Sequence, residues 1–83
     1  MHFQFTTLVK ANNRIREFNF TRLSLTANDL FEVDVCDDKG NRVLFKMKKE
    51  GERSWRIINE QEVPQWVTEV EEELDTILQK ELE

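Results

Sequence analysis

The chain has 83 residues, 39% of them hydrophobic, and its 12 Lys or Arg against 17 Asp or Glu give a formal net charge of -5. That length supports one domain with one core, burying about 60 to 65% of the unfolded surface, and leaves no room for a second domain. Cys36 is the only cysteine and His2 the only histidine, so neither an intrachain disulfide nor a Cys/His zinc site can be assembled, and no metal or cofactor is expected.

No apolar run approaches the ~20 residues of a membrane span, and the N-terminus shows no basic stretch followed by an apolar block. With a single thiol, the expectation is a cytoplasmic protein in a reducing compartment. Charge is segregated along the chain. Residues 39 to 56 hold seven Lys or Arg against Glu50 and Glu52, a net of +5, whereas residues 57 to 83 hold Lys80 against nine acids, a net of -8. The overall acidity therefore does not exclude a local basic surface.

The first expected strand, residues 2 to 9, sets Phe3, Phe5, Thr7 and Val9 on one face. Asn12 and Asn13 tolerate the positive φ of a two-residue type I′ turn, which pairs Ala11 with Arg14, Thr7 with Phe18 and Phe5 with Phe20. The second strand, residues 14 to 25, changes apolar parity from Phe18 and Phe20 to Leu23 and Leu25. Either a bulge intervenes or the leucines lie on the reverse face, and the second arrangement is preferred. A loop at residues 26 to 29 would then pair Leu25 with Leu30 and set Phe20 beside Val35.

The clearest signal is the hairpin from Leu30 to Met47, LFEVDVCDDKGNRVLFKM, alternating with period two on both sides of a Gly-bearing turn. A three-residue loop Asp38-Lys39-Gly40, with Gly40 left-handed, pairs Asp37 with Asn41, Val35 with Val43, Val33 with Phe45 and Phe31 with Met47. Glu32 then faces Lys46 on the opposite side. The strands span residues 30 to 36 and 41 to 49. A turn at Glu50-Gly51-Glu52 leads into a fifth strand, residues 53 to 59, aligning Met47 with Trp55, Phe45 with Ile57 and Leu44 with Ile58.

From Pro64 the period becomes helical. Val67, Val70, Leu74 and Ile77 recur at spacings of three and four, predicting one helix over residues 64 to 81. Pro64 suits a first turn, where its missing N–H has no partner, and Glu60 and Glu62 sit at the positive end of the helix dipole. The fold class is α+β: a five-stranded antiparallel meander of order 1-2-3-4-5 with one C-terminal helix across its Phe-rich face.

No catalytic set emerges, and the chain is expected not to be an enzyme. Glu32 and Asp34 share a strand face, but an exposed Glu32–Lys46 pair explains them. Ser24 and Ser54 lack a nucleophile context and His2 sits at a chain end. DVCDDKG fails as a calcium loop: with Gly40 in the sixth position, Val35 falls at the first and Lys46 at the twelfth, where acids are required. The acidic run Glu69 to Asp75 reads as the wet side of an amphipathic helix, and Cys36 as a small sheet residue.

The informative surface is the sheet face away from the helix. It carries Leu8, Ile15, Leu23, Leu25, Leu30, Leu44 and Ile58 mixed with Arg42, Lys46, Lys48 and Arg56, whereas a wholly solvated antiparallel face is more uniformly polar. The reading drawn from it is a small interaction module, self-associating as a homodimer and binding a protein partner through this face or a sheet edge. An alternative is single-stranded nucleic-acid binding by the basic fourth and fifth strands. In topology the arrangement resembles Pur-alpha-type repeats, a likeness that implies single strands held on basic and aromatic sheet surfaces. Here, however, the aromatics fall on the helix-covered face, without the stacking platform such binding uses. A further alternative is a carrier holding a small apolar ligand between helix and sheet.

Overall fold

The structure, a computed structural model, describes residues 4 to 23, 30 to 51 and 54 to 82. Five strands, β1 (Gln4–Ala11), β2 (Arg14–Arg22), β3 (Leu30–Cys36), β4 (Arg42–Glu50) and β5 (Ser54–Ile57), form one antiparallel sheet in the order β1-β2-β3-β4-β5. A 3-10 turn (Glu60–Glu62) leads into two helical segments, α1 (Gln65–Thr68) and α2 (Glu71–Glu81), and α2 packs against β5. The expected α+β meander with a C-terminal helix is the observed fold.

Where turn chemistry specifies a register, the strands adopt it. Asn12 and Asn13 both take left-handed φ, 54° and 67°, and Ala11 pairs with Arg14, Thr7 with Phe18 and Phe5 with Phe20. In the central hairpin Gly40 has φ 83°, the Asp37 N–H donates to the Asn41 carbonyl at 2.9 Å, and Val35 faces Val43, Val33 faces Phe45 and Phe31 faces Met47. The carboxylate of Asp37 also accepts the backbone N–H groups of Asn41 at 2.8 Å and Lys39 at 2.9 Å. These bonds, that of Asn41 foremost, hold the Asp37 pKa below its ordinary value of 3.8.

Two registers differ from expectation, each by two residues. Phe20 lies opposite Val33 rather than Val35, and the Leu23 N–H donates to the Leu30 carbonyl at 3.0 Å, so Leu23, not Leu25, meets Leu30. This register sets Asn19 opposite Asp34, where its amide donates to the carboxylate at 2.9 Å, in place of the sulfur of Cys36. β2 ends at Arg22, and Leu25 lies outside the described residues. Likewise Met47 pairs with Ile57 and Lys49 with Trp55, because β4 continues to Glu50 before the left-handed Gly51, at φ 73°, turns the chain. The fifth strand is correspondingly short, and Asn59, at φ 58°, ends the extended run. A slip of two residues preserves which face each side chain occupies, so the core is the expected one.

That core holds Phe18, Phe20, Phe31, Val33 and Met47 of the sheet with no exposed surface, closed over by Val67, Leu74 and Leu78, equally buried. Each such large side chain contributes roughly 1.5 to 3 kcal/mol of transfer free energy. Phe5 stacks on Phe20 with ring centroids 4.6 Å apart, and Phe31 meets the edge of Trp55 at 5.4 Å.

The single expected helix is interrupted. The Val70 N–H donates to the Val67 carbonyl, Val70 takes φ -105° and ψ 15°, and α2 starts afresh at Glu71. No Gly or Pro marks the break. It lets α1 carry Trp66 to Arg16 of β2, with the guanidinium 4.7 Å from the ring centroid, while α2 follows β5 at the far side of the sheet. Pro64 caps α1 from outside its first turn, with extended ψ of 145°.

Candidate interaction surface

Period two places every described member of the expected partner surface on the face away from the helices. Leu23, Leu30, Arg42, Leu44, Lys46, Lys48, Arg56 and Ile58 all lie there, as do Leu8 and Ile15. Exposure is greatest for Ile15, Leu8 and Leu44, at 71%, 66% and 57%. The face is nevertheless not one apolar patch. Leu23 and Leu30 pair at one end, Leu44 and Ile58 flank Lys46 near β5, and Leu8 and Ile15 lie at the opposite corner.

A polar ladder runs between these groups. The Thr6 hydroxyl donates to the Asn19 side-chain oxygen at 2.7 Å, the Asn19 amide to Asp34 at 2.9 Å, and Arg42 stands 4.0 Å from the same carboxylate. Of the four cations, Arg42 is thus drawn to Asp34, Arg56 lies 3.6 Å from Glu71, and Lys46 sits opposite Glu32, leaving Lys48 beside Leu30. Where β4 runs on past the end of β5, Leu44, Lys46, Ile58 and Glu62 line an open hollow of about 250 Å³.

Two features were not anticipated from the sequence. The first is Arg16, whose side chain is 7% exposed although it sits in a sheet. β2 and β3 stop pairing beyond Asn19 and Asp34, and the Arg16 guanidinium fills the gap. It donates to the carbonyls of Ala11 at 2.8 Å and Cys36 at 3.2 Å and to the Asp38 carboxylate at 2.7 Å, with Trp66 over its face. The signal was present: Arg16 shares the parity of Phe18 and Phe20, and a charge in core phase needs partners.

The second is the unequal treatment of the two outer strands. In β5 the pairs with β4 alternate, so Trp55 and Ile57 turn their N–H groups away from the sheet. Helix α2 accepts both, through Asp75 at 2.8 Å and Glu71 at 2.7 Å. In β1, the type I′ turn makes Ala11 and Arg14 a hydrogen-bonded pair, and alternation from there turns the backbone groups of Gln4, Thr6, Leu8 and Lys10 outward. Among the described residues no group accepts or donates to them.

Among the described residues no cluster of His, Cys, Asp and Glu is arranged to hold a metal ion, and no helix is long and apolar enough to cross a membrane. Cys36 is an exposed free thiol whose carbonyl is held by Arg16. No family model, curated protein or solved structure matches this chain.

Proposed function

We propose that this protein is a non-enzymatic interaction module that binds protein by adding an extended strand to the edge of β1. The observation that carries the reading is the contrast between the outer strands: β5 is covered by Asp75 and Glu71, while β1 is eight residues long, with Lys10 as its only charge and no Pro or Gly. Sheet edges exposed to water are commonly blunted by charge, proline, bulges or short length, and β1 has little of this. A segment laid along it gains main-chain hydrogen bonds, with alternate side chains meeting Phe5 and Thr7 on one face and Thr6 and Leu8 on the other. The leucines and cations of the open face then flank the docked strand instead of forming the primary contact.

The other readings have less support. Phe18, Phe20, Phe31 and Phe45 are buried in the core and Arg42 and Arg56 stand near Asp34 and Glu71, which leaves a single strand of nucleic acid little to stack on. Packed side chains fill the space between helix and sheet, where a carrier needs a cleft.

Selection of random extended peptides displayed against the chain, followed by NMR mapping, tests the proposal. The expected binders shift the amide resonances of Thr6, Leu8 and Lys10. Binders that instead map to Lys46, Lys48 and Arg56 overturn it.

A further inference from the structure

We infer that the occupant of the β1 edge is a second copy of this chain, paired antiparallel about a two-fold axis at Thr7, and that association stops at two copies. The inference rests on the strand-addition reading and names its partner. Register is the first ground. The outward-turned positions are Gln4, Thr6, Leu8 and Lys10, and one antiparallel register engages them all, with Gln4 facing Lys10 of the second copy and Thr6 facing its Leu8. Each such pair exchanges both backbone hydrogen bonds. The two Lys10 side chains then lie at opposite ends of the ribbon, and β1 contains no acid, so no like charges meet. Moving the register toward the C-terminal end strands Gln4 and brings the lysines together.

The second ground is side-chain continuity. On the helix side Phe5, Thr7 and Val9 alternate, so this register sets Phe5 of each copy against Val9 of the other, with Thr7 on Thr7. Phe5 is stacked on Phe20 and still half-buried at the rim, so a neighbouring strand covers apolar surface that the single chain leaves open. On the other side Leu8, 66% exposed, gains Thr6 as a neighbour.

The third ground is closure. Strand pairing about this axis joins two five-stranded sheets into one, with both helices on the same face. The outer strands of the combined sheet are the two copies of β5, each already covered by Asp75 and Glu71. Both contacting surfaces are the same β1 edge, so the interface is isologous and the assembly closes as a dimer instead of growing into a filament.

Sedimentation equilibrium of the full chain over a concentration series is the test. The expected mass rises from the 10.0 kDa of one chain to a plateau at twice that value. Leu8→Pro is expected to hold the mass at one chain throughout, since the N–H it removes points out of the sheet and no internal ladder bond is lost. Leu8→Lys, at an already exposed position, is expected to do the same and covers the case in which the proline variant fails to fold. In a Cys36→Ser background, Thr7→Cys is expected to oxidise to a covalent dimer, because facing residues of a non-hydrogen-bonded pair lie about 4.5 Å apart. Leu44→Cys in the same background is expected to remain uncrosslinked.

A mass that climbs past two copies, or a dimer that both Leu8 variants leave intact, overturns the inference. A monomer whose β1 amides respond to displayed peptides overturns the second copy as occupant and leaves strand addition standing. A monomer whose selected peptides map elsewhere overturns both.

Discussion

β5 turns the N–H groups of Trp55 and Ile57 outward and α2 returns Asp75 and Glu71 to accept them, whereas β1 turns the backbone groups of Gln4, Thr6, Leu8 and Lys10 outward, where no described residue pairs with them. The two strands carry the same backbone chemistry. What separates them is the break after α1: a straight helix from Pro64 would lay one continuous stripe across the sheet, while the interrupted one sends α2 along β5 and uses its acids as edge caps. Those acids, part of an apparently solvated run, are structural. The difference shows how one sheet can suppress pairing on one side and leave it available on the other.

Unseating α2 removes the difference between the two edges altogether. Leu74→Ala, at a position with no exposed surface, is expected to cost about 2 to 5 kcal/mol through lost burial and the cavity left behind. Chemical denaturation measures the loss. Light scattering of the folded variant is expected to show larger assemblies, because uncovering β5 supplies a second edge.

Arg16 tests the other half of the molecule, where α1 holds the β2–β3 gap closed beside β1. Arg16→Met keeps the bulk and removes the bonds to Ala11, Cys36 and Asp38. The expected loss is about 2 kcal/mol, discounted because the Asp38 side chain is 52% exposed. The same denaturation series is expected to show no new assembly, since β5 stays covered.

Asp75→Ala opens the β5 edge at a single bond. It leaves the Trp55 N–H without its acceptor, for an expected cost of about 1 to 2 kcal/mol, and the Trp55 amide is expected to exchange with solvent much faster than that of Ile57, which keeps Glu71.

The smallest effect is expected at the central hairpin, which belongs to neither edge. The folded-state pKa of Asp37 is lowered, so its contribution is present above the unfolded value, near pH 4, and is lost as pH falls through the folded one. Asp37→Asn is expected to flatten the acid limb of a plot of melting temperature against pH. An unchanged slope contradicts the assigned role of the turn.

The fold was legible where short-range chemistry was specific. Asn12-Asn13 and Asp37 through Gly40 each encode a turn whose geometry dictates the pairing that follows, and alternation sorts every described phenylalanine onto the helix side, Phe3 lying outside the described residues. The loop after Leu23 and the turn at Gly51 encode less, and both neighbouring registers differ by two residues from those the sequence predicts. That difference leaves faces intact and changes only which pairs meet.

The sequence places the candidate residues on the face away from the helices and names a sheet edge as the alternative, without telling which of the two edges stays open. Whether Leu8 or Ile58 lies beside an open or a covered strand depends on where α2 travels, and the break at Val70, without Gly or Pro, is decided by tertiary contacts. Arg16 was legible in part, as a charge in core phase, but its partners at Ala11, Cys36 and Asp38 come together only once β2 and β3 separate.

Amide hydrogen exchange followed residue by residue at rising protein concentration tests the contrast between the edges most directly. Trp55 and Ile57 are expected to be protected at every concentration, while Thr6 and Leu8 exchange rapidly in dilute solution and gain protection as the second copy binds. Rapid exchange at Trp55 and Ile57, or exchange at Thr6 and Leu8 that ignores concentration, would contradict that contrast.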